Sequence, residues 1–283
     1  MIFFSNKNRP FDYGPYPLER LGRDASVIEK EAIRPPIDRS KVPAIDPNHP
    51  MAIALDKYHK VFRNLGEVDP EWPKAPAPED PVRRAQDIKG SVYFLDASQC
   101  GICEVPDTAW LNGATIFPHR YAIVIMQAYG RVPETDNPAF PWIEGQEQAA
   151  ADLRTFEIAI GIAEYLQYMG YKSKAHDLAT GDVDLERLTV LAGLGLRSTD
   201  GIENPYLGQN YGVSIVTTDY ALATDLPLAT SAHRAKGISY WLGMGGAVPG
   251  IEWNRRSKRR SDLGIFPMEQ VKRVDRPTTL IID

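Results

Sequence analysis

The stretch Leu191–Leu228, LAGLGLRSTDGIENPYLGQNYGVSIVTTDYALATDLPL, decides how the rest of the chain is read. Its first leucines close a helix that the apolar spacing predicts from Asp182 to Leu194. Gly193 and Gly195 then let the chain leave that helix with positive φ and pass close to a ligand or another backbone. Tyr211 to Ala221 reads as a long strand, and Thr224-Asp225-Leu226-Pro227-Leu228 as the turn that ends it. A helix, a glycine-marked loop, a strand and a turn in this order belong to a layered α/β fold.

Working back from this stretch, the same alternation continues. Asp80-Pro81 is a helix start, an N-cap acid followed by proline at the first helical position. Val82, Ala85, Ile88, Val92 and Leu95 follow at helical spacing. Strands are expected at Gln99–Glu104 and at Tyr121–Gln127, where the unbroken apolar run YAIVIM suits burial on both faces. The strongest helix is predicted from Gly145 to Tyr168, with Ala149, Leu153, Phe156, Ile160, Ala163 and Leu166 as its apolar stripe. Gly170 ends it and Tyr171–His176 forms the next strand. Long strands returning near one another allow an antiparallel or a mixed sheet.

The flanks differ in character. Residues 1–80 are rich in proline, as in Phe11-Asp12-Tyr13-Gly14-Pro15-Tyr16-Pro17-Leu18, which favours extended or turning backbone. Tyr13, Tyr16, Phe62 and Trp72 carry apolar surface worth burying, so this segment reads as an arm wrapped over the core, with one short helix near Met51–Phe62. After Ser231 the pattern loosens through Gly243-Met244-Gly245-Gly246 and the basic run Arg255-Arg256-Ser257-Lys258-Arg259-Arg260. The final Leu280-Ile281-Ile282 reads as an edge strand or the point where a longer polypeptide was divided. The expected organisation is therefore a wrapping arm (1–80), an α/β core (81–230) and an extension with a basic loop (231–283).

Composition narrows the function classes. The 283 residues carry a net charge of −5, which argues against general nucleic-acid affinity. No apolar run is long enough for a membrane span, and two cysteines give no disulfide framework, so a cytoplasmic setting is expected. No nucleophile elbow, Walker loop or Rossmann fingerprint occurs. Cys100-Gly101-Ile102-Cys103 has redox spacing, but a strand places residues three apart on opposite faces, and no second pair completes a metal shell. Asp182/Asp184 and Glu144/Glu147 fall at helix starts, where carboxylates favour the dipole without any catalytic role.

The Gly193–Leu228 pattern resembles the reductive dehalogenase family, corrinoid and iron–sulfur enzymes whose vitamin B12 domain carries a Gly-Leu-Gly loop with a basic residue close behind. In that family a strand and a Thr-Asp-Leu-Pro-Leu turn follow. The opening Gly14-Pro15-Tyr16-Pro17-Leu18-Glu19 is similar to the catabolic, oxygen-tolerant branch. The resemblance covers roughly Asp80 to Leu228 plus the opening. It implies a nitroreductase-like, B12-domain-like α/β sandwich with a mixed sheet and a proline-rich N-terminal arm. It also implies that cobalamin, if bound, lies against Gly193, Gly195, Arg197 and Ser198; His119, just before the YAIVIM strand, is placed either to reach that ligand from its loop or to serve as a turn residue hydrogen-bonded to backbone. Arg197 has an alternative role, a salt bridge closing its own loop.

Two departures qualify what is carried over. The family's iron–sulfur clusters need about four thiolates each, and this chain has two cysteines. The family's proton-donating tyrosine stands on the helix before a Leu-Gly-Tyr turn. Here the turn is Met169-Gly170-Tyr171, and the matching helical segment reads Ala149-Ala150-Ala151-Asp152-Leu153-Arg154-Thr155-Phe156. The chain thus reads as a degenerate B12-domain copy, non-catalytic by itself and without an iron–sulfur cluster. Its expected partner is a catalytic reductive dehalogenase subunit or domain, or a second copy of itself. A freestanding corrinoid-binding or trafficking protein and a flavin-dependent reductase of related fold are the alternatives.

Overall fold

The computed structural model describes Leu18 and residues 21–42, 45–65 and 72–230. The expectations for Tyr13 and Tyr16, for the basic run and for the C-terminal edge strand lie outside the described residues.

Four strands form the central sheet in the order β1 (Gln99–Glu104), β2 (Tyr121–Ala128), β6 (Tyr211–Thr218), β3 (Ser173–His176). Every neighbouring pair is antiparallel, so the mixed sheet implied by the resemblance is corrected to the antiparallel arrangement that the sequence also allowed. A separate hairpin pairs β4 (Leu196–Ser198) with β5 (Gly201–Glu203). This hairpin lies inside the segment read from sequence as a loop. Three-residue strands are too short to display a period of two.

Strand β2 shows why its sequence is apolar throughout. Ala122, Val124 and Met126 enter one core cluster and Ile123 and Ile125 the other, all fully buried. Burying each large side chain stabilises the fold by about 1.5–3 kcal/mol. On the second face lie α3 (Pro81–Phe94) and α5 (Glu147–Tyr168). Asp80 caps α3 by accepting the Val82 N–H at 2.9 Å, as the sequence suggested. The outer ends of the predicted α3 stripe are corrected, since Val82 and Leu95 are exposed while Ala85, Ile88 and Val92 are buried.

Helix α5 also departs from its expected stripe. Leu153 is only partly buried, whereas Ile158, Ala159 and Ile162 join Ala163 and Leu166 against the sheet. The helix is buried around most of its girth because α2 (Pro50–Leu65) covers a second side, where His59 and Phe156 meet at 5.2 Å between ring centroids. A single-stripe reading fails for a helix packed on two sides.

The opposite face is closed by α6 (Leu185–Leu191), the β4–β5 hairpin and the N-terminal segment. Residues 22–24 are stitched to 227–229 by Asp24 N–H to Pro227 O at 3.0 Å and Ala229 N–H to Gly22 O at 2.8 Å. The short helix α1 (Ser26–Ala32) follows, and beyond it Arg187 donates to Pro35 O at 2.8 Å. Cys100 and Cys103 fall in different core clusters, on opposite faces of β1 as their spacing implied. Burial pushes both thiols up, Cys100 to about 12, so neither ionises near neutrality. No described helix is long and apolar enough to cross a membrane.

Candidate functional site

The Gly193–Ser198 loop is built by the end of α6. Gly193 N–H bonds Val190 O at 3.0 Å and Leu194 N–H bonds Thr189 O at 3.1 Å, the paired closure of a Schellman motif. That motif needs a left-handed residue after the cap, and Gly193 supplies it with φ of 68°. The space above Gly193 is taken. Arg23 Nη1 donates to Gly193 O at 3.2 Å and to Leu226 O at 2.7 Å, while Nη2 donates to Leu18 O at 2.9 Å. A Cβ on Gly193 would overlap Arg23 Nη1 and Leu226 O, and one on Gly195 would overlap the Ile202 side chain. The close approach inferred for both glycines is thus to other parts of this chain. A cation at this position also meets the negative end of the α6 dipole.

Arg197, on β4, reaches away from the glycines. Its Nε and Nη2 donate to the two carboxylate oxygens of Glu31 at 2.7 and 2.8 Å, and Nη1 to Glu186 at 3.2 Å. Glu31 is buried, and its hydrogen bonds raise the Arg197 pKa. This is the salt-bridge alternative, with Glu31 on α1 in place of the neighbouring Asp200. Ser198 Oγ donates to Gly201 O at 3.1 Å inside the hairpin turn. His119 is buried and stacks on Phe117 at 5.4 Å.

His119 belongs to a buried relay that runs across the sheet. Asp182 N–H donates to His176 Nδ1 at 3.1 Å, so the neutral His176 ring carries its proton on Nε2 and donates to Thr217 Oγ1 at 2.8 Å. The Thr217 hydroxyl proton then goes to His119 Nδ1, also at 2.8 Å. Burial first, and Lys174 second, hold the His176 pKa down to about 3. The relay is fully satisfied at Thr217, which suits a structural polar core.

A second locus arises where the sheet is incomplete. Strand β3 pairs with β6 only over Ser173–His176 against Ile215–Thr218, so β6 runs on past its end with an open edge at Tyr211–Ser214. Helix α5 supplies the missing partners. Gln148 donates to Tyr211 O at 3.2 Å, and Asp152 accepts the Val213 backbone N–H. Between this notch and α2 lies a cavity of about 410 Å³. That volume falls at the lower end of small-molecule sites.

The polar wall of the cavity comes from α2, α5 and the turn after β3. Arg63 donates from Nε and Nη2 to Asp177 Oδ2, both at 3.0 Å, and His59 Nε2 lies 3.2 Å from the same oxygen. Thr180 donates twice more, from its N–H and hydroxyl, to Asp177 Oδ1 at 2.6 Å. These donors outweigh the cost of burial and hold the Asp177 carboxyl far below the usual carboxylate range. Asp152 is the opposite case. Burial pushes it up to about 6, and only the Gln148 amide, His59 and the Val213 N–H oppose that shift. It makes no ion pair among the described residues. No group of histidines, cysteines and carboxylates among the described residues has the arrangement of a metal site.

The structure does not bring the sequence-derived candidates together. Gly193, Gly195, Arg197 and Ser198 sit on the α6 side, His119 at the sheet, and the cavity on the α5 side. His59, Arg63, Asp152 and Asp177 were missed. A signal existed for three of them: His59 and Arg63 are four apart on one helix, and Asp152 stands three after Ala149 and four before Phe156, on the predicted inward face.

Comparison with solved structures places this geometry. Over its whole length the chain matches the catabolic reductive dehalogenase NpRdhA, N-terminally tagged, at 35% identity and a TM-score of 0.72. In sequence and fold the chain resembles the catabolic reductive dehalogenases. It spans 40% of the length of that relative. NpRdhA in complex with 3-bromo-4-hydroxybenzoic acid matches at 34% identity and TM-score 0.71, with all of this chain and 39% of the other covered. The structure described as suggesting a mechanism for B12-dependent dehalogenation matches at 34% and 0.70, covering 100% and 40%. No protein-family model and no curated protein matches. The fold is that of the reductive dehalogenase B12 domain, as the resemblance implied.

For a reductive dehalogenase, a corrinoid held at the Gly-Leu-Gly loop needs open space over that loop. Among the described residues the loop does not fit the group, because Arg23, Leu226 and Ile202 occupy that space and Glu31 holds Arg197. The notch cavity is open, but its volume suits a much smaller molecule.

Proposed function

We propose that this chain is a B12-fold module without turnover of its own that associates with a corrinoid-dependent reductive dehalogenase. The observation that carries the reading is the filled Gly193 loop, in which the chain's own Arg23 guanidinium takes the place over the glycine. Two further points support it. The chain's two cysteines lie in one buried strand, too few and too inaccessible to ligate a cluster in the family manner. Segment Ala149–Phe156, where the resemblance sets the proton donor, carries no hydroxyl of tyrosine type and presents Asp152 to the cavity.

General acid catalysis contributes about 10²–10⁴-fold, and its group must stand within hydrogen-bond reach of the reacting atom. Asp152 lies next to a cavity too small for corrinoid and substrate together, so it has no reacting atom to serve. Binding is tested by sedimentation velocity with a cobalamin-loaded catabolic reductive dehalogenase, following the corrin absorbance. A faster-sedimenting corrin species on addition of this chain is expected. An unchanged corrin boundary at saturating chain contradicts association.

A further inference from the structure

We propose that the notch cavity between α2 and α5 binds a small organic cation, an amine on an apolar body, with Asp152 as its counter-ion. The inference does not rest on association with a dehalogenase. It comes from the charge balance of the cavity wall and from where that balance is left open.

Arg63, with His59 beside it, is consumed by Asp177, whose remaining oxygen is saturated by Thr180. Asp56, also on the wall, is paired with Lys60 at 2.6 Å. Asp152 alone among these, partly buried, has no cation partner among the described residues, and its oxygens are held by the Gln148 amide and the Val213 N–H. A carboxylate kept in a desolvated site is costly unless a positive charge joins it. Among the described residues Gln148 and the Val213 N–H meet Asp152 but no lysine or arginine does, although the same cavity sets Arg63 against Asp177. An anionic ligand would meet an excess of carboxylates, and a neutral one would leave Asp152 uncompensated.

The remaining wall suits the body of such a ligand. Ala52 and Leu55 of α2 and Ala149 of α5 present apolar surface beside Asp152. The groups facing Asp152 from the surrounding elements are His59, Asp177 and the Tyr129 hydroxyl, which meets the Gln148 side-chain oxygen. A ligand ammonium supplies up to three donors, more than one of which the Asp152 carboxylate can accept.

The test uses benzylamine as probe, with benzyl alcohol and benzoate as neutral and anionic isosteres, by titration calorimetry on the full chain. Benzylamine is expected to bind saturably at pH 7.5, at least tenfold more tightly than either isostere. D152N should weaken benzylamine at least tenfold with its thermal unfolding still cooperative. A52L, which fills the cavity and leaves the carboxylate in place, should also abolish binding. Absence of saturable benzylamine binding, equal or tighter binding of benzoate, or unchanged affinity in D152N would each overturn the proposal.

Discussion

The Arg23 guanidinium closes over Gly193, donating to its carbonyl oxygen at 3.2 Å across 170 residues of sequence. The contact joins the N-terminal segment to the end of α6, and it exists because a Schellman glycine has no side chain to exclude it. Gly193→Ala should therefore destabilise the chain on two counts, left-handed backbone and collision with Arg23. A loss of about 2–4 kcal/mol in urea unfolding is expected. Arg23→Ala in the same background should recover part of it, because the collision disappears while the backbone strain stays. Full additivity of the two losses would show that the residues do not meet.

Arg197 is predicted to act in stability. Arg197→Ala leaves Glu31, 4% exposed, with only the distant Arg34 at 3.8 Å. A loss of about 1–3 kcal/mol is expected, less than for a fully buried pair because Arg197 keeps some solvent contact. The double variant R197A/E31Q should be more stable than R197A alone, since the orphaned charge is gone. Equal stability of the single and double variants would contradict the pairing.

Two buried groups should shape stability against pH in opposite directions. His176 has a folded pKa depressed to about 3, below its ordinary value of 6.5, so its contribution is present above pH 6.5 and is lost as pH falls. Asp152 has a folded pKa raised to about 6 from 3.8, so its contribution is present below pH 3.8 and is lost as pH rises to 6. Between about pH 4 and 6 the slopes cancel. D152N should unmask the His176 slope and gain about 2–3 kcal/mol over the native chain at pH 7, with near equality at pH 4. Chemical unfolding at the two pH values measures this, and a pH-independent difference would contradict it.

The corrected α5 face gives a direct packing test. Ile162, 2% exposed, points into the cluster with Ile123, Ile125 and Val216. Ile162→Asp should cost more than 4 kcal/mol or prevent folding, because it buries an unpaired carboxylate. Leu153→Asp, on the partly exposed side, should cost clearly less. The reverse ranking in thermal melts would restore the stripe read from sequence.

Much of the fold was legible because its signals are local. Asp80-Pro81 marked the start of α3, and the YAIVIM run marked a strand covered on both faces. Gly193 was legible as a turn glycine, but what lies over it was not, since Arg23 sits 170 residues away. The Arg197 partner was hidden for the same reason, as Glu31 lies on a helix, α1, too short to show periodicity. The notch cavity depends on β3 ending four residues into its pairing with β6, a tertiary length mismatch that neither strand displays alone.

The most direct measurement is the rate of debromination of 3-bromo-4-hydroxybenzoic acid by the chain with cobalamin and a strong chemical reductant, against the same mixture without protein. The reductant replaces electron delivery, so the assay isolates what the chain does at the reacting carbon. With the Gly193 loop filled, the proposed reading expects the two rates to be equal within error. A rate in the presence of the chain well above that of free cobalamin, and abolished by heat denaturation, would contradict the non-catalytic reading.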